Sequence, residues 1–264
     1  MQKWWKTIER GAEKVSRRLI DLGEIKPDSR VLDIATGIGE PAITAANKVG
    51  SGGHVLATDI SPLMLSVAKQ RAISLGLQNI IEFKEGDIET IDLPSSAFDA
   101  VLCRWGLMFL PDLKAGLSNI HQSLVEGDHL AAAVWASPAQ DTLIATTMNT
   151  IMKETSGKPP PLGTPGPFSL SDENNLKKSF ITSGFKDLNI ERMKVSFNFD
   201  SPEDFTTFTS ETAGPLQKVL SNQTNQRKKV ILNAVTEAAK KYADKNTGVV
   251  KSENEAILIV GKNE

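Results

Sequence analysis

The chain is expected to form an α/β fold: a doubly wound, mostly parallel sheet with a helical cap. Three observations lead there. Strand-like and helix-like stretches alternate from residue 28 to residue 136. The strands are apolar along their whole length rather than at every second residue, the mark of a sheet covered on both faces. After Ala136 the alternation breaks, and helical excursions interrupt the last strands.

Residues 3–22 read as an amphipathic helix with Ile8, Ala12, Val15, Leu19 and Ile20 on its apolar side. RVLDIA, 30–35, is a short strand. Glu40 and Pro41 open a helix, with proline at its first position, where a missing N–H costs nothing; Gly50 ends it. HVLATDI, 54–60, is a second strand. Ser61 caps and Pro62 starts a helix running to Gly76. NIIEFKEGD holds a third strand and FDAVLCRW a fourth. A helix at 112–124 buries Leu113, Leu117, Ile120 and Leu124, and HLAAAVWA is a fifth strand. Residues 137–168 hold one helical piece and the loop KPPPLGTPGP, which cannot be regular structure. A helix near 171–183, a strand near 186–199, helices over 202–244 and a strand at EAILIVGK complete the chain. The domain reading is a cap helix over 1–27, a cofactor-binding core over 28–136 and a cap insertion with a helix over 137–185. A core strand at 186–200, a helical cap insertion at 201–249 and a final core strand at 250–264 follow.

The 264 residues carry a net charge of −2, so no basic field points to nucleic acid or an anionic membrane. A single cysteine excludes an internal disulfide and fits a reducing compartment. The three histidines are scattered, with no ligand cluster for a metal. The N-terminal stretch has no long apolar run, so a cytoplasmic location without membrane insertion is expected.

In doubly wound sheets ligands bind beyond the carboxyl ends of the strands. Strand one delivers Asp33 and the loop Ala35, Thr36, Gly37, Ile38, Gly39 there; strand two delivers Asp59 and Ile60. Strand three delivers Gly86, Asp87 and Ile88, strand four Cys103, Arg104 and Trp105, strand five Trp135 to Ser137. Asp59 follows Gly39 by 20 residues, the spacing at which a carboxylate accepts from both hydroxyls of a ribose. The bland alternative is a turn or helix-capping aspartate. Gly37, Gly39 and Ala42 also fit a glycine-x-glycine-x-x-alanine dinucleotide pattern. Asp33 argues against that pattern: at about 4–6 Å and an effective dielectric near 20, a carboxylate repels a pyrophosphate by several kcal/mol. An ammonium group would be attracted. The ligand implied is an adenosine with a cationic, amino-acid-like tail, the structure of S-adenosylmethionine. The competing role for Asp33 is to cap loop N–H groups. Asp87 can accept from the adenine amine, or simply close a turn. Met64 can lie on the adenine face, or belong to the core stripe of its helix.

VLDIATGIGEPA, ATDISPLML, EFKEGDIETIDLP, FDAVLCRWGLMFLPD and VEGDHLAAAVWA resemble, in order, the motifs of class I S-adenosylmethionine-dependent methyltransferases. They are most similar to the branch that includes the ubiquinone/menaquinone C-methyltransferases. The resemblance covers about residues 28–137, and more weakly GPFSL, the SPEDF segment and ILIVGK. It implies a Rossmann-like, seven-stranded sheet whose last strand is antiparallel. It also implies that Asp33, Gly37 and Gly39 hold the methionine end, Asp59 the ribose and Asp87 the adenine. Ala35 replaces the family's first glycine, a change of little cost if its φ is negative.

Methyl transfer from a sulfonium needs alignment and exclusion of water, and a base only where the acceptor must lose a proton. His54, His121 and His129 fall toward the amino edge of the sheet, away from such a cofactor. No catalytic residue is assigned; Arg104 and Trp105 are the candidates, with a structural ion pair as the alternative for Arg104. Trp4 and Trp5 either pack their helix or cover the sulfonium with an aromatic face. Glu9, Asp141 and Glu211 are weaker candidates for facing the acceptor, and Arg227–Lys229 reads as a solvated helix face. The partner expected is a small-molecule methyl acceptor. Two other functions remain open at this point: a nicotinamide-dependent oxidoreductase, and a non-catalytic cofactor-binding module.

Overall fold

A computed structural model describes residues 4–158, 161, 163–212 and 214–264. Its seven strands are β1 (Arg30–Ile34), β2 (His54–Asp59), β3 (Ile81–Glu85), β4 (Phe98–Arg104), β5 (Leu124–Trp135), β6 (Phe185–Phe199) and β7 (Val250–Asn263). They form one sheet in the order β3-β2-β1-β4-β5-β7-β6. The first five strands run parallel, and β7 is antiparallel to β5 with Ala131 opposite Val260. The seven-stranded sheet with a late antiparallel strand is therefore as expected. From β1 the chain winds outward to β2 and β3, then returns to place β4 on the other side of β1. The order reverses between β1 and β4, so a ligand crevice is expected at their carboxyl ends.

The helices are α1 (Trp5–Leu22), α2 (Ala42–Val49), α3 (Pro62–Ser74), α4 (Leu113–Ser123), α5 (Leu143–Thr155), α6 (Glu173–Thr182), α7 (Pro202–Thr212), α8 (Gly214–Ser221) and α9 (Asn225–Ala239). Four carry side-chain caps readable from sequence: Ser61 before α3, Asp112 before α4, Asp172 before α6 and Thr224 before α9.

The chain divides into two compact units. The sheet unit holds Glu13–Trp135, Thr164–Met193 and Ala256–Glu264; the helical unit holds Met1–Ala12, Ala136–Gly163 and Lys194–Glu255. The helix α6, which sequence reading takes to resume the strand–helix pattern, lies in the sheet unit.

In the sheet unit, Val31, Leu32, Val55, Ala57, Ala100, Val101, Leu102 and Ala131–Val134 are fully buried, as their unbroken apolar runs require. Each large aliphatic side chain removed from water there contributes about 1.5–3 kcal/mol. On α1, Val15 and Leu19 are also fully buried. Arg18 pairs with Glu191 of β6 through two of its guanidinium nitrogens, which holds Glu191 below the usual carboxylate range. In the helical unit Phe199, Phe205 and Phe208 form an aromatic cluster. Trp4 meets Phe208 edge-on at 5.5 Å and donates its indole N–H to Glu211 at 2.6 Å. Packing, the plainer of its two readings, thus describes Trp4, and it uses a carboxylate oxygen of Glu211.

Several boundaries differ from expectation. Pro41 stands one residue before α2 instead of inside it, so that Ala42 begins the helix, its N–H donating to the Asp33 carboxylate. β5 starts at Leu124, five residues early, because Leu124 pairs with Phe98 across a register shift. His129 is consequently mid-strand, opposite Ala100 near the start of β4. β7 starts at Val250, the bound given for the final core strand but ahead of the apolar run EAILIVGK; its buried Ser252 and Asn254 are polar and hydrogen-bonded to the Thr142 region. Arg227 is not simply solvated: it pairs with Glu154 at 3.2 Å and joins α9 to α5. Of the proline-rich loop, Pro159, Pro160 and Leu162 lie outside the described residues; beyond it, Gly166 and Ser169 bond to the carbonyl of Met108.

Candidate functional site

The carboxyl ends of β1 and β4 bring together most of the predicted residues of the sheet unit. Asp33 sits on the central strand, flanked by Ala57 and Leu102, and is fully buried. Its Oδ2 accepts the Ala42 N–H at 2.9 Å, so one oxygen caps the start of α2. Its Oδ1 is buried with no hydrogen bond of good geometry among the described residues, as is the Thr36 hydroxyl. Burial is the main force on this carboxyl and pushes its pKa up to about 7. The nearby Thr36 hydroxyl, the Ala42 N–H and the Arg104 charge oppose that rise, and Glu40 adds to it. A buried acid with a spare oxygen is poised to receive a donor or a cation.

The loop after β1 bends sharply. Gly37 has φ +57° with open space where a side chain would stand, and Gly39 has φ +102°. Ala35 has φ +54°, which overturns the expectation of a negative value. An alanine in this left-handed region costs roughly 1–2 kcal/mol. Its methyl lies beside Gly106, where an added Cβ would come within 2.6 Å of it. The loop is fastened from two sides. Asp59 accepts the Gly37 N–H on Oδ2 at 2.8 Å and the Ser61 N–H on Oδ1 at 2.9 Å. Arg71 of α3 donates to the Ile38 carbonyl and lies 3.8 Å from buried Glu40. Asp59 therefore performs the structural task as well, and a carboxylate's four acceptor positions leave two to spare.

Around Asp59, Ile60 is 68% exposed and Met64 is half-buried on α3. Asp87 is half-buried beyond β3, and its Oδ1 accepts from the Glu89 N–H at 3.0 Å. Gly86 donates its N–H to the carbonyl of Asp59 at 3.1 Å, which sets this turn beside β2. Ile88 turns inward, buried, with its carbonyl held by Asn119.

At β4 the predicted trio separates. Cys103 is wholly enclosed, and burial pushes its thiol up to about 12. Its side chain therefore belongs to the core, which leaves only its backbone for any ligand contact. Arg104 is buried and donates to Ser16 of α1 at 2.7 Å, while its charge reaches Asp33. Trp105 has φ +62°, unusual for a bulky residue, and stacks on Trp135 at 4.3 Å. Its indole N–H is buried with no hydrogen-bond partner among the described residues. Trp5 belongs to the helical unit, half-buried, with the Lys6 ammonium 5.6 Å from its ring; the sheet unit does not assemble it with these residues.

Sequence reasoning missed Ser16, Glu40 and Arg71. Glu40 could have been noticed as an acid at a helix start. Ser16 and Arg71 lie on the faces of longer helices and carry no local signal. Of the histidines, His54 faces Glu82 at 3.4 Å, and His121 packs edge-on against Phe185 at 5.2 Å.

A reversed strand order, a tight glycine loop with a buried acid, and an acid ending the next strand are the features with which α/β folds receive nucleoside-containing cofactors. Residues 31–127 match the family model described as a methyltransferase domain. An aklanonic acid methyltransferase from a Streptomyces species is 38% identical over 117 residues, 44% of this chain and 53% of that one. A demethylmenaquinone methyltransferase from Thermus thermophilus is 32% identical over 122 residues, 46% of this chain and 54% of that one. The matches thus span about half the length of these curated relatives. Among solved structures, the YcgJ protein of Bacillus subtilis superposes with a TM-score of 0.64 at 16% identity, covering 96% of this chain and 99% of that one. At that identity the likeness concerns the fold alone. No helix among the described residues is long and apolar enough to cross a membrane.

Proposed function

We propose that the chain transfers a methyl group from S-adenosylmethionine to a small molecule. One observation carries the cofactor assignment: the buried Asp33 carboxylate, with an oxygen to spare, under the loop where a dinucleotide would place its phosphates. The residues fit the group. Asp33 would hold the α-ammonium, a charge that favours its ionised form over the neutral one that burial favours. Gly37, with nothing within 4 Å of a would-be Cβ, leaves the tail room to pass over the backbone. Asp59 would accept from the ribose hydroxyls with its remaining lone pairs. The exposed Ile60 side chain beside it offers an apolar face to adenine, and Asp87 Oδ2 an acceptor for the amine.

Bound there, the cofactor would supply a methyl group already activated by its sulfonium. The chain's own task is then alignment and dryness. Arg104 and Trp105 end the strand next to the Asp33 loop, and the Trp105–Trp135 stack would fix an apolar wall there. The small-molecule acceptors named for the two relatives support the substrate class. Calorimetric titration with S-adenosylmethionine tests the first half of the proposal, and absence of binding at about millimolar cofactor rejects it. A purified-protein methylation screen over quinols, phenols, amines and acids tests the second.

A further inference from the structure

Strand β3 ends the sheet on one side, and among the described residues its five-residue run IEFKE pairs with β2 alone. Its outer row of backbone N–H and C=O groups therefore faces no strand. A groove of about 850 Å³ runs beside it, from His54 at the amino end to Pro62 at the carboxyl end. Leu65 and Ile73 of α3 form one wall, Ile81 and Phe83 of β3 the other. Ile73 is 54% exposed and Phe83 half-buried, so apolar surface stands open along the edge. Proteins commonly blunt such edges with charge. Here the charges are Glu82, whose carboxylate lies 3.4 Å from His54, and Lys84, which donates to the Asp92 carbonyl at 2.8 Å. A carboxylate has four acceptor positions and an ammonium three donors, so each can take a further partner.

The order of these charges decides what can pair here. Where two identical strands pair antiparallel about a two-fold axis, one residue lies on the axis, because opposed residues share a face of the sheet. An axis at Glu82 sets Glu82 against its own copy, and an axis at Lys84 does the same to Lys84. Like charges directly opposite are destabilising. An axis at Phe83 pairs the whole strand, with Phe83 opposite Phe83 and Glu82 opposite Lys84 on both sides of the axis. We infer that β3 is the seam of a homodimer: two copies join edge to edge about Phe83 into one continuous sheet, each Glu82 against the partner's Lys84. Ile81 then meets Glu85, which is exposed and can turn its carboxylate to water. The same axis carries the exposed Ile73, near the amino end of one groove, to the Pro62 end of the other. Nothing in this seam depends on the cofactor.

Sedimentation equilibrium of the full chain from about 1 to 100 µM should show a reversible monomer–dimer equilibrium with Kd in the micromolar range, as a small interface implies. Glu82→Lys and Lys84→Glu each oppose like charges at two places and should raise Kd at least ~10-fold. The double variant opposes the charges again in reverse order, and its Kd should return to within ~3-fold of wild type. An equimolar mixture of the two single variants should form the mixed dimer in preference to either homodimer. If a charge variant does not fold, Phe83→Cys decides the matter. Under a mild oxidant it should link to its own copy through the opposed thiols, and Glu85→Cys should not; the native Cys103 is buried and does not compete. A monomer at ~100 µM, a dimer indifferent to both reversals, or Phe83→Cys linking no faster than Glu85→Cys overturns the inference.

Discussion

Replacing Asp33 by Asn tests the electrostatics of the site without any ligand. The amide oxygen can still accept the Ala42 N–H, so the helix cap survives while the titration is removed. In the folded wild type the carboxyl holds its proton to about pH 7, against 3.8 for an exposed aspartate. Between those values the native state binds more protons than the unfolded chain, so stability falls as pH rises and levels off above about 7. The full difference of roughly 3 units, at about 1.4 kcal/mol each, is about 4 kcal/mol. Between about pH 5 and pH 8 some 3 kcal/mol of it should appear as a growing advantage of Asp33→Asn over wild type. Asp141, raised by burial to about 6, titrates in the same direction but cancels, being common to both proteins. Urea unfolding of both proteins at the two pH values measures the quantity directly. Curves that shift in parallel, within about 0.5 kcal/mol, would mean that the carboxyl is ionised in the free protein and that burial is not its dominant influence.

Ala35→Gly should stabilise the chain by about 0.5–1 kcal/mol, because relief of the left-handed backbone exceeds the entropy that glycine adds to the unfolded state. A lower melting temperature would show that the methyl contact beside Gly106 matters more. Asp59→Ala should weaken S-adenosylmethionine by roughly one to a few kcal/mol, through unpaired ribose hydroxyls and a loosened Gly37 N–H; unchanged calorimetric affinity would count against the site map. Cys103 should resist a thiol-specific disulfide reagent near pH 8 in the native state and react fully in urea, with rapid native labelling contradicting its enclosure.

The sheet was legible because burial on both faces demands unbroken apolar runs. VLDI, VLAT, AVLC and LAAAVW announce themselves without any partner in view. The start of β7 was not, since Ser252 and Asn254 sit inside the protein on hydrogen bonds that only the fold supplies. Asp33, Gly37 and Asp59 could be read as a group because their spacing reflects one loop crossing one strand end. The inference about Ala35 failed for a local reason: nothing in ATGIG fixes the sign of a dihedral angle, which the turn as a whole imposes. The burial of the Cys103 thiol was not legible either, because proximity along the chain does not say that its side chain turns into the core while Arg104 reaches Ser16. Long-range pairs such as that one, or Arg227 with Glu154, leave no trace in local pattern.

The position of β7 has a consequence for biosynthesis. This strand lies between β5 and β6, yet it is translated after both of them and after three intervening helices. While the ribosome is still short of residue 250, β5 is an open margin of the sheet and β6 has no strand beside it, both waiting for the strand that joins them. Such late, distant closure slows folding and leaves those margins open to mispairing with other nascent chains. The charged and alternating surface of β6 is well suited to that wait.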